Sequence, residues 1–366
     1  MTVSGSSMSS RPRVRELGLA PGVLSPGVQN AITDVPGVQV GQLTLWAGEG
    51  VRTGVTAVLP HGADPFTERV PAGLFVANGF GKLAGSTQVI ELGELETPIV
   101  LTNTLSVSAA VAALIEWTLA KPGHHDVRTV NAFVGETNDG VLNDIRARAV
   151  RPEHVLEALS AAKTDPPDEG CVGAGTGTIA LGFKAGIGTS SRRLAAPLGA
   201  TTVGVLVQAN FGGLLLMDGL RVGEKLGRHA PHDLQDDIDG SAMIVIATDA
   251  PLSDRNLRRL AARAMAGLAR TGAAFAHGSG DYAVAFSTAA EVRRADRGRA
   301  TETGAPWPNE RLSPLSQAVI EATEEAVLNA LCAAVDVTGQ GGAQALALPL
   351  AAVEGMIRAR DRAAAI

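Results

Sequence analysis

The Gly240–Ser241 dipeptide joins a polar loop to an apolar stretch and is the position in the sequence best suited to chemistry. The loop covers residues 228–240 (RHAPHDLQDDIDG), and the apolar stretch 241–248 (SAMIVIAT) begins directly behind it. A serine hydroxyl at such a junction can attack the preceding carbonyl carbon, convert the peptide to an ester, and become a new N-terminus when water cleaves that ester. The freed serine would carry a nucleophilic hydroxyl beside its own amine, which serves as a general base. Glycine before the cut tolerates the distorted dihedrals that the attack requires.

An isolated Asp-Gly-Ser sequence is also ordinary turn chemistry, so the dipeptide alone leaves both interpretations open. An unperturbed α-amino group has a pKa of about 7.7–8.0, which lets it act as a base near neutrality. The residues elsewhere in the chain must therefore decide whether Ser241 is a nucleophile.

Three polar residues near apolar runs are candidates for the surroundings of such a nucleophile. Asn210, in VQANFG, has a side-chain N–H that can point at a developing oxyanion, and the alternative is an Asn that caps a turn. Ser279 and Asp281, in HGSGDYAVAF, are two residues apart, so an extended backbone places both side chains on one face as a linked pair. That pair can hydrogen-bond the amine of Ser241; the alternative is a glycine-rich turn with an Asp cap.

Glu136 and Asn138, in GETNDG, and Lys184, in LGFKAGIG, are candidates for substrate binding. A buried carboxylate that faces an ammonium is an economical way to recognise an N-terminus, whereas a solvated loop Glu would have no such role. Lys184 needs desolvation or charge pairing to take part in catalysis, and a structural ion pair is an equally good interpretation.

Composition is compatible with one large domain, although length alone would allow two or three, and it argues against several kinds of partner. The chain has 366 residues, of which 45% are apolar and 19% charged, enough to bury a large core. A net charge of −6 and an aromatic share of 3% argue against nucleic acid as a partner. The longest apolar stretch, 105–120, is too short for a bilayer and contains Glu116, so no membrane association is expected. Residues 1–14 are Ser-rich without the apolar region of a signal peptide, which predicts a disordered tail and a cytoplasmic protein.

Neither a metal nor another cofactor is expected. The two cysteines lie outside any C-x-x-C spacing, and His229 and His232 are separated by Ala-Pro, which breaks the helix that a His-Glu-x-x-His zinc site needs. The glycine-rich segment 173–177 is not followed by the Lys-Ser or Lys-Thr of a phosphate loop, because Lys184 precedes an alanine. Close packing of backbone is the better interpretation of those glycines.

Short apolar runs bounded by Gly, Pro or Asp alternate with helical patterns. The runs predict strands at 54–59, 74–77, 98–101, 130–134, 202–207, 243–248 and 282–286. Helices are predicted over 105–120, from Ser253 or Asp254 to Leu268, and from Ser313 to about Ala334. Strands with amphipathic helices indicate a layered α/β domain. The loops 221–240 and 287–312 are long enough to be functional or disordered, and the first contains the proposed cut.

A series of segments along almost the whole chain carries a more specific signal. They read RELGLAPGVLSPGVQNAITDVPGVQVG at 15–41, RTGVTAVLPHG at 52–62, NGFGK at 78–82, ELETPIVLTNTLSV at 94–107, GETNDGVLND at 135–144, VGAGTGTIALGFKAGIGTSSR at 172–192, VGVLVQANFG at 203–212, DGSAMIVIATDAPL at 239–252 and GSGDYAVAFST at 278–288. In this order they resemble the L-aminopeptidase D-amidase/D-esterase family, which includes the β-peptidyl aminopeptidases and, more distantly, the nylon-oligomer hydrolases.

The resemblance implies a self-processing N-terminal-nucleophile hydrolase with a four-layer αββα sandwich. A disordered tail would cover 1–14 and a single domain 15–366, cut into an α chain of 1–240 and a β chain of 241–366. The substrates would be small peptides, amides or esters, and the αβ units would form a homo-oligomer, a tetramer by resemblance.

The same resemblance assigns roles to the site residues. Ser241 corresponds to the nucleophile, Asn210 to the oxyanion donor, and Glu136 to the acid that holds the substrate's amino group. Ser279 and Asp281 match a Ser plus an acidic residue, which is Glu in some relatives. At Asn138 the chain departs from the aminopeptidase members, which have Tyr there, and Lys184 matches a lysine near the nucleophile in the nylon-oligomer hydrolase branch.

Two rival functions follow from these departures and from the weakness of the isolated motif. Lys184 and the missing Tyr are compatible with an amidase for ω-amino or synthetic amide oligomers. A protein of another class, a binding module that keeps the fold and never cleaves itself, is the second rival.

Overall fold

Two β-sheets lie face to face between helices, which gives the order helix, sheet, sheet, helix. The structure is a computed structural model that describes residues 11–228, 240–295 and 307–364. The strands in these ranges are β1 (Gln39–Ala47), β2 (Val51–Leu59), β3 (Glu68–Gly79), β4 (Glu94–Leu95), β5 (Ile99–Asn103), β6 (Phe133–Thr137), β7 (Ile179–Ala180), β8 (Phe183–Lys184), β9 (Ile187–Arg193), β10 (Thr202–Asn210), β11 (Ser241–Thr248), β12 (Gly280–Ser287), β13 (Arg294–Ala295), β14 (Val337–Thr338) and β15 (Gln344–Ala345). The α-helices are α1 (Ser86–Leu92), α2 (Val107–Leu119), α3 (Pro152–Ser160), α4 (Val222–Lys225), α5 (Asp254–Arg270), α6 (Leu312–Ala333) and α7 (Leu350–Ala364).

The first sheet has the strand order β1-β2-β5-β6, and the second has the order β13-β3-β12-β11-β10-β9 with β4 paired to β3. The pairs β5/β6 and β11/β12 are parallel, and the other pairs in these two sheets are antiparallel. Strand β11 is therefore central in the second sheet, with β10 and β12 on either side.

Three hydrophobic cores separate the four layers. Alternate side chains of β11 belong to the two cores on either face of its sheet. Met243 and Val245 belong to the core between the two sheets, whereas Ile244 and Ile246 belong to the core under α5 and α6. A third core lies between the first sheet and the helices α2 and α3. Successive side chains of a strand point to opposite faces, so Ser241 is in phase with Met243 and faces the first sheet. The four-layer αββα sandwich expected from the sequence is confirmed.

The predicted elements are present with shifted ends. Each predicted strand overlaps one of β2, β3, β5, β6, β10, β11 and β12, and the three predicted helices correspond to α2, α5 and α6. Helix α5 begins after Ser253, whose side chain makes no capping hydrogen bond. The sequence patterns did not predict β1, β9, α3 or α7. Strand β9 was missed because its buried residues include Ser190 and Arg192, so it does not read as apolar.

Residues 11–14, which were expected to belong to a disordered tail over 1–14, are instead packed against the domain. Val14 is fully buried, and the guanidinium of Arg11 donates to the carbonyl of Cys332 over 2.8 Å. Residues 1–10 lie outside the described residues, as do residues 229–239 of the first long loop, with His229 and His232, and residues 296–306 of the second. In the ranges that the structure covers, no helix has both the length and the apolar character needed to cross a membrane.

Candidate active site

The hydroxyl of Ser241 touches the carbonyl that it would attack. Ser241 is the first residue of β11 and is only 5% exposed. Its Oγ donates to the carbonyl oxygen of Gly240 over 2.6 Å, and the backbone N–H of Gly280 lies 3.2 Å from both of these oxygens. The parallel pairing of β11 with β12, which puts Ser241 opposite Gly280, creates this arrangement. The hydroxyl, the carbonyl and a backbone donor therefore converge at the junction.

Only glycine fits at position 240, because a side chain there would clash with neighbouring backbone. A Cβ added there would lie 2.6 Å from the Cα of Phe211 and 2.8 Å from the carbonyl oxygen of Asn210. Both neighbours are backbone atoms, which cannot turn away as a flexible side chain would. The end of β10 is thus pressed against the residue that precedes Ser241.

Asn210 is the last residue of β10 and pairs with Ser241 in the antiparallel register of β10 and β11. Its Oδ1 accepts from the backbone N–H of Ile179 over 3.0 Å, and its Nδ2 donates to the carbonyl of Asn138, also over 3.0 Å. An amide group has two N–H donors, and among the described residues only one of them has an acceptor. The side chain is fixed from both ends beside the junction.

Ser279 and Asp281 form the linked pair that their spacing predicts. The Oγ of Ser279 donates to Oδ1 of Asp281 over 2.7 Å, and both side chains are buried. Burial raises the pKa of Asp281, while the hydroxyl of Ser279 and the backbone N–H of Ala242 act in the opposite direction. The carboxyl group thus lies next to the residue that follows Ser241, and Oδ2 has no hydrogen-bond partner among the described residues.

Glu136 lies on β6 of the first sheet and is 1% exposed. Its Oε1 accepts from the backbone N–H of Lys82 over 2.9 Å, and its Oε2 accepts from the hydroxyl of Thr104. The carboxylate shares the wall of one small cavity with Ser241, Gly240, Asn138, Thr104 and Lys82. The two sheets therefore contribute one side each to the cavity, Glu136 from the first and Ser241 from the second.

Asn138 and Lys184 occupy different environments. Asn138 lines the cavity, but its side-chain oxygen accepts from the backbone N–H of Gly140 over 2.9 Å, which closes a local turn. Lys184 is fully buried outside the cavity wall, and its ammonium donates to the carbonyls of Gly175 and Ala185 over 3.2 and 2.6 Å. Burial lowers the pKa of Lys184. These contacts favour the structural interpretation of this lysine, because its donors are directed at the backbone of the core.

The glycines near Lys184 pack against backbone, as expected. A Cβ on Gly175 would lie 2.3 Å from the backbone nitrogen of Ile187. Among the described residues there is no group of three His, Cys, Asp or Glu side chains placed to share a metal ion.

Three residues near the site were not singled out from the sequence. Thr104 and Lys82 bind the two oxygens of Glu136, as described above. Asp139 follows Asn138, and burial raises its pKa to about 7 although Thr53 and Asn143 hydrogen-bond it. The GETNDG motif could have pointed to Asp139, whereas the contacts of Lys82 and Thr104 join distant parts of the chain.

A layered sandwich with a serine at the start of a central strand is the architecture of an N-terminal-nucleophile hydrolase, and known proteins similar to this chain agree. The model of peptidase family S58 matches residues 30–345. In an alignment of 391 positions the chain is 41% identical to the β-peptidyl aminopeptidase BapA of Sphingosinicella microcystinivorans. The alignment covers 100% of this chain and 96% of that protein.

Two solved structures share the fold over nearly their full lengths. The PH0078 protein from Pyrococcus horikoshii OT3 is 44% identical with a TM-score of 0.89, covering 96% of this chain and 99% of that one. The L-aminopeptidase D-Ala-esterase/amidase of Ochrobactrum anthropi, a prototype of the serine aminopeptidases with a variant Ntn-hydrolase fold, is 35% identical with a TM-score of 0.87 and the same coverage. The chain belongs to peptidase family S58. It is an N-terminal-nucleophile aminopeptidase, a hydrolase that acts on peptides or amides.

Proposed function

We propose that the chain cuts its own Gly240–Ser241 bond and then uses Ser241 to remove N-terminal residues from short peptides, amides or esters. The contact of 2.6 Å between the Ser241 hydroxyl and the Gly240 carbonyl oxygen is the observation that carries this proposal. In the cut, Oγ would bond to the Gly240 carbonyl carbon while the C–N bond breaks and Ser241 nitrogen takes a proton. Water would then hydrolyse the ester, which leaves a carboxyl group on Gly240 and a free amine on Ser241.

In turnover the same hydroxyl would attack the substrate's first carbonyl carbon, and the Ser241 amine would accept its proton. Collapse of the tetrahedral intermediate would expel the leaving amine, which takes a proton, and would leave an ester on Ser241. Water, deprotonated by the amine, would then release the free amino acid. The remaining N–H of Asn210 would stabilise the oxyanion in both steps.

The other predicted residues would orient the reacting groups. Asp281, linked to Ser279 and close to Ala242, would hold the new amine of Ser241. Glu136 would bind the substrate's ammonium, because its carboxylate is buried yet lies on the wall of the same cavity. The names of the β-peptidyl aminopeptidase relatives extend the proposed substrates to peptides that begin with a β-amino acid. Lys184 has no step in this scheme, and Asn138 contributes its carbonyl as the partner of Asn210.

We further propose that the cut units form a homo-oligomer and that the protein is cytoplasmic, both on the resemblance and the sequence expectations stated above. Size-exclusion chromatography with light scattering tests the first, and fractionation of the source cells tests the second. A single αβ unit in solution, or the protein in an extracytoplasmic fraction, would contradict the respective proposal.

Denaturing mass spectrometry of purified protein tests the cut directly. Wild type should yield a fragment that begins Ser-Ala-Met-Ile, and Ser241→Ala should remain one inactive chain, because both reactions use the same hydroxyl. Ser253→Ala is the matched control, since that serine is exposed and its side chain does not cap α5. Active protein that stays uncut, or that is cut elsewhere, would remove Ser241 from this role.

A further inference from the structure

We propose that Lys82 binds the C-terminal carboxylate of the substrate, so that the preferred substrates are very short peptides with a free carboxyl end. This inference rests on the proposed function of the same cavity. It concerns the leaving half of the substrate, for which the scheme above has no binding residue.

The charges on the cavity wall are one acid and one base. Of the described residues that line it, Glu136 is the acid and Lys82 is the base. The two do not neutralise each other, because Glu136 contacts the backbone N–H of Lys82 rather than its ammonium. Within the described part of the chain, no carboxylate lies within 4 Å of the Lys82 ammonium. The side chain is exposed and therefore available to an incoming anion.

The Lys82 ammonium lies near exposed aromatic surface beside the cavity. It lies 6.0 Å from the ring centroid of Phe80, a cavity residue that is 61% exposed. The ring of Phe80 also lies 6.2 Å from that of His277, so the outer rim carries aromatic surface. With the substrate's ammonium at Glu136 and its first carbonyl at Ser241, the leaving residue would pass this rim on its way to solvent.

The anchoring of Lys82 limits the length of a substrate that both charges can hold. The backbone N–H of Lys82 is hydrogen-bonded to Glu136, so the ammonium can move only as far as the lysine side chain extends. Each added residue lengthens an extended peptide by about 3.3–3.6 Å, so the carboxylate of a longer peptide would lie progressively farther from the Lys82 ammonium. Amides and esters lack the anion and should gain nothing from Lys82.

Paired substrates test this assignment without requiring equal activity between variants. We would measure kcat/KM for L-Ala-L-Phe and for L-Ala-L-Phe-amide, with active sites counted as the fraction of chains that begin at Ser241. In wild type the free acid should be favoured by about two- to fivefold, the range of an exposed ion pair. Lys82→Met should bring the ratio close to one, and Lys82→Arg should retain it. Lys163→Met, at an exposed lysine that follows α3 and lies 3.5 Å from the carboxylate of Asp165, should leave the ratio unchanged.

Added salt should reduce the wild-type preference, because exposed charges are screened. Turnover of both substrates with a wild-type ratio of one, or a ratio that persists in Lys82→Met, would overturn the role of Lys82 and leave the proposed aminopeptidase intact. Correctly cut protein that hydrolyses neither dipeptide nor amide would overturn both.

Discussion

Asn210→Ala should impair both stability and chemistry, and the structure allows the two effects to be separated. The substitution removes the acceptor of the Ile179 N–H and the donor to the Asn138 carbonyl. A buried polar group left without its partner costs about 1–3 kcal/mol, so the unfolding midpoint should fall. Loss of an oxyanion donor should independently lower turnover by about 10²–10³, equivalent to roughly 2.7–4 kcal/mol in the transition state. A lower midpoint alone therefore does not exclude a catalytic role.

Asn210→Asp keeps an oxygen for the Ile179 N–H but removes the Nδ2 donor, so the Asn138 carbonyl loses its partner in this variant as well. It should lose turnover as severely as Asn210→Ala, since a carboxylate would repel the developing oxyanion. Self-cleavage should slow in both variants, because the Gly240 carbonyl passes through a similar oxyanion. The measurements are the cleaved fraction over time, the unfolding midpoint, and the turnover per molecule that begins at Ser241. Normal turnover per cleaved molecule in either variant would refute the oxyanion role.

Two further substitutions test the first-sheet side of the site. Glu136→Gln should mainly impair substrates with a free amino group, because it replaces an ion pair by a neutral acceptor; equal losses for acetyl-capped and free-amine substrates, measured as kcat/KM, would make the residue structural. Asp139→Asn should flatten the pH dependence of stability. Burial raises the pKa of Asp139 to about 7, above its ordinary value of 3.8, so its contribution to stability is complete below pH 4 and is lost as the pH rises through 7. The limit is on the order of 4 kcal/mol. Urea unfolding in the uncut Ser241→Ala background measures this effect. Between pH 5.5 and pH 8.5 the free energy of unfolding should fall less with Asp139→Asn than without it. An equal fall in both proteins would refute the titration of Asp139.

The sequence predicted the parts of the site that depend on local backbone. Ser279 and Asp281 are linked because they are two residues apart on an extended segment, and Ser241 begins a strand because an apolar run starts there. The hydrogen bonds that hold the Glu136 carboxylate could not be predicted in this way. Its partners Lys82 and Thr104 are 54 and 32 positions away in the chain, and neither stands in a pattern that predicts a contact with a carboxylate.

The reason for glycine at position 240 also differs from the sequence argument. That argument relied on the freedom of glycine dihedrals, whereas the structure adds the close approach of Phe211 and Asn210 backbone atoms. Such an approach depends on the pairing of β10 with β11, which only the folded sheet defines. Tertiary packing thus explains why residue 240 is glycine, whereas the local motif suggested only the freedom of its dihedrals.

Contacts that cross the proposed cut explain how a new N-terminus can arise inside an intact core. β11 pairs with β10 on the other side of the cut over eight residue pairs, from Val203 with Thr248 to Asn210 with Ser241. Farther away, buried Arg192 of β9 binds both Glu321 and Glu325 of α6 over 3.1 and 2.8 Å. Burial acts to raise the pKa of Glu325, but its hydrogen bonds and the arginine charges outweigh that effect and the pKa is lowered. Breaking the Gly240–Ser241 bond removes none of these contacts, so the strand pairing that positions Ser241 beside Asn210 does not depend on the bond that is cut.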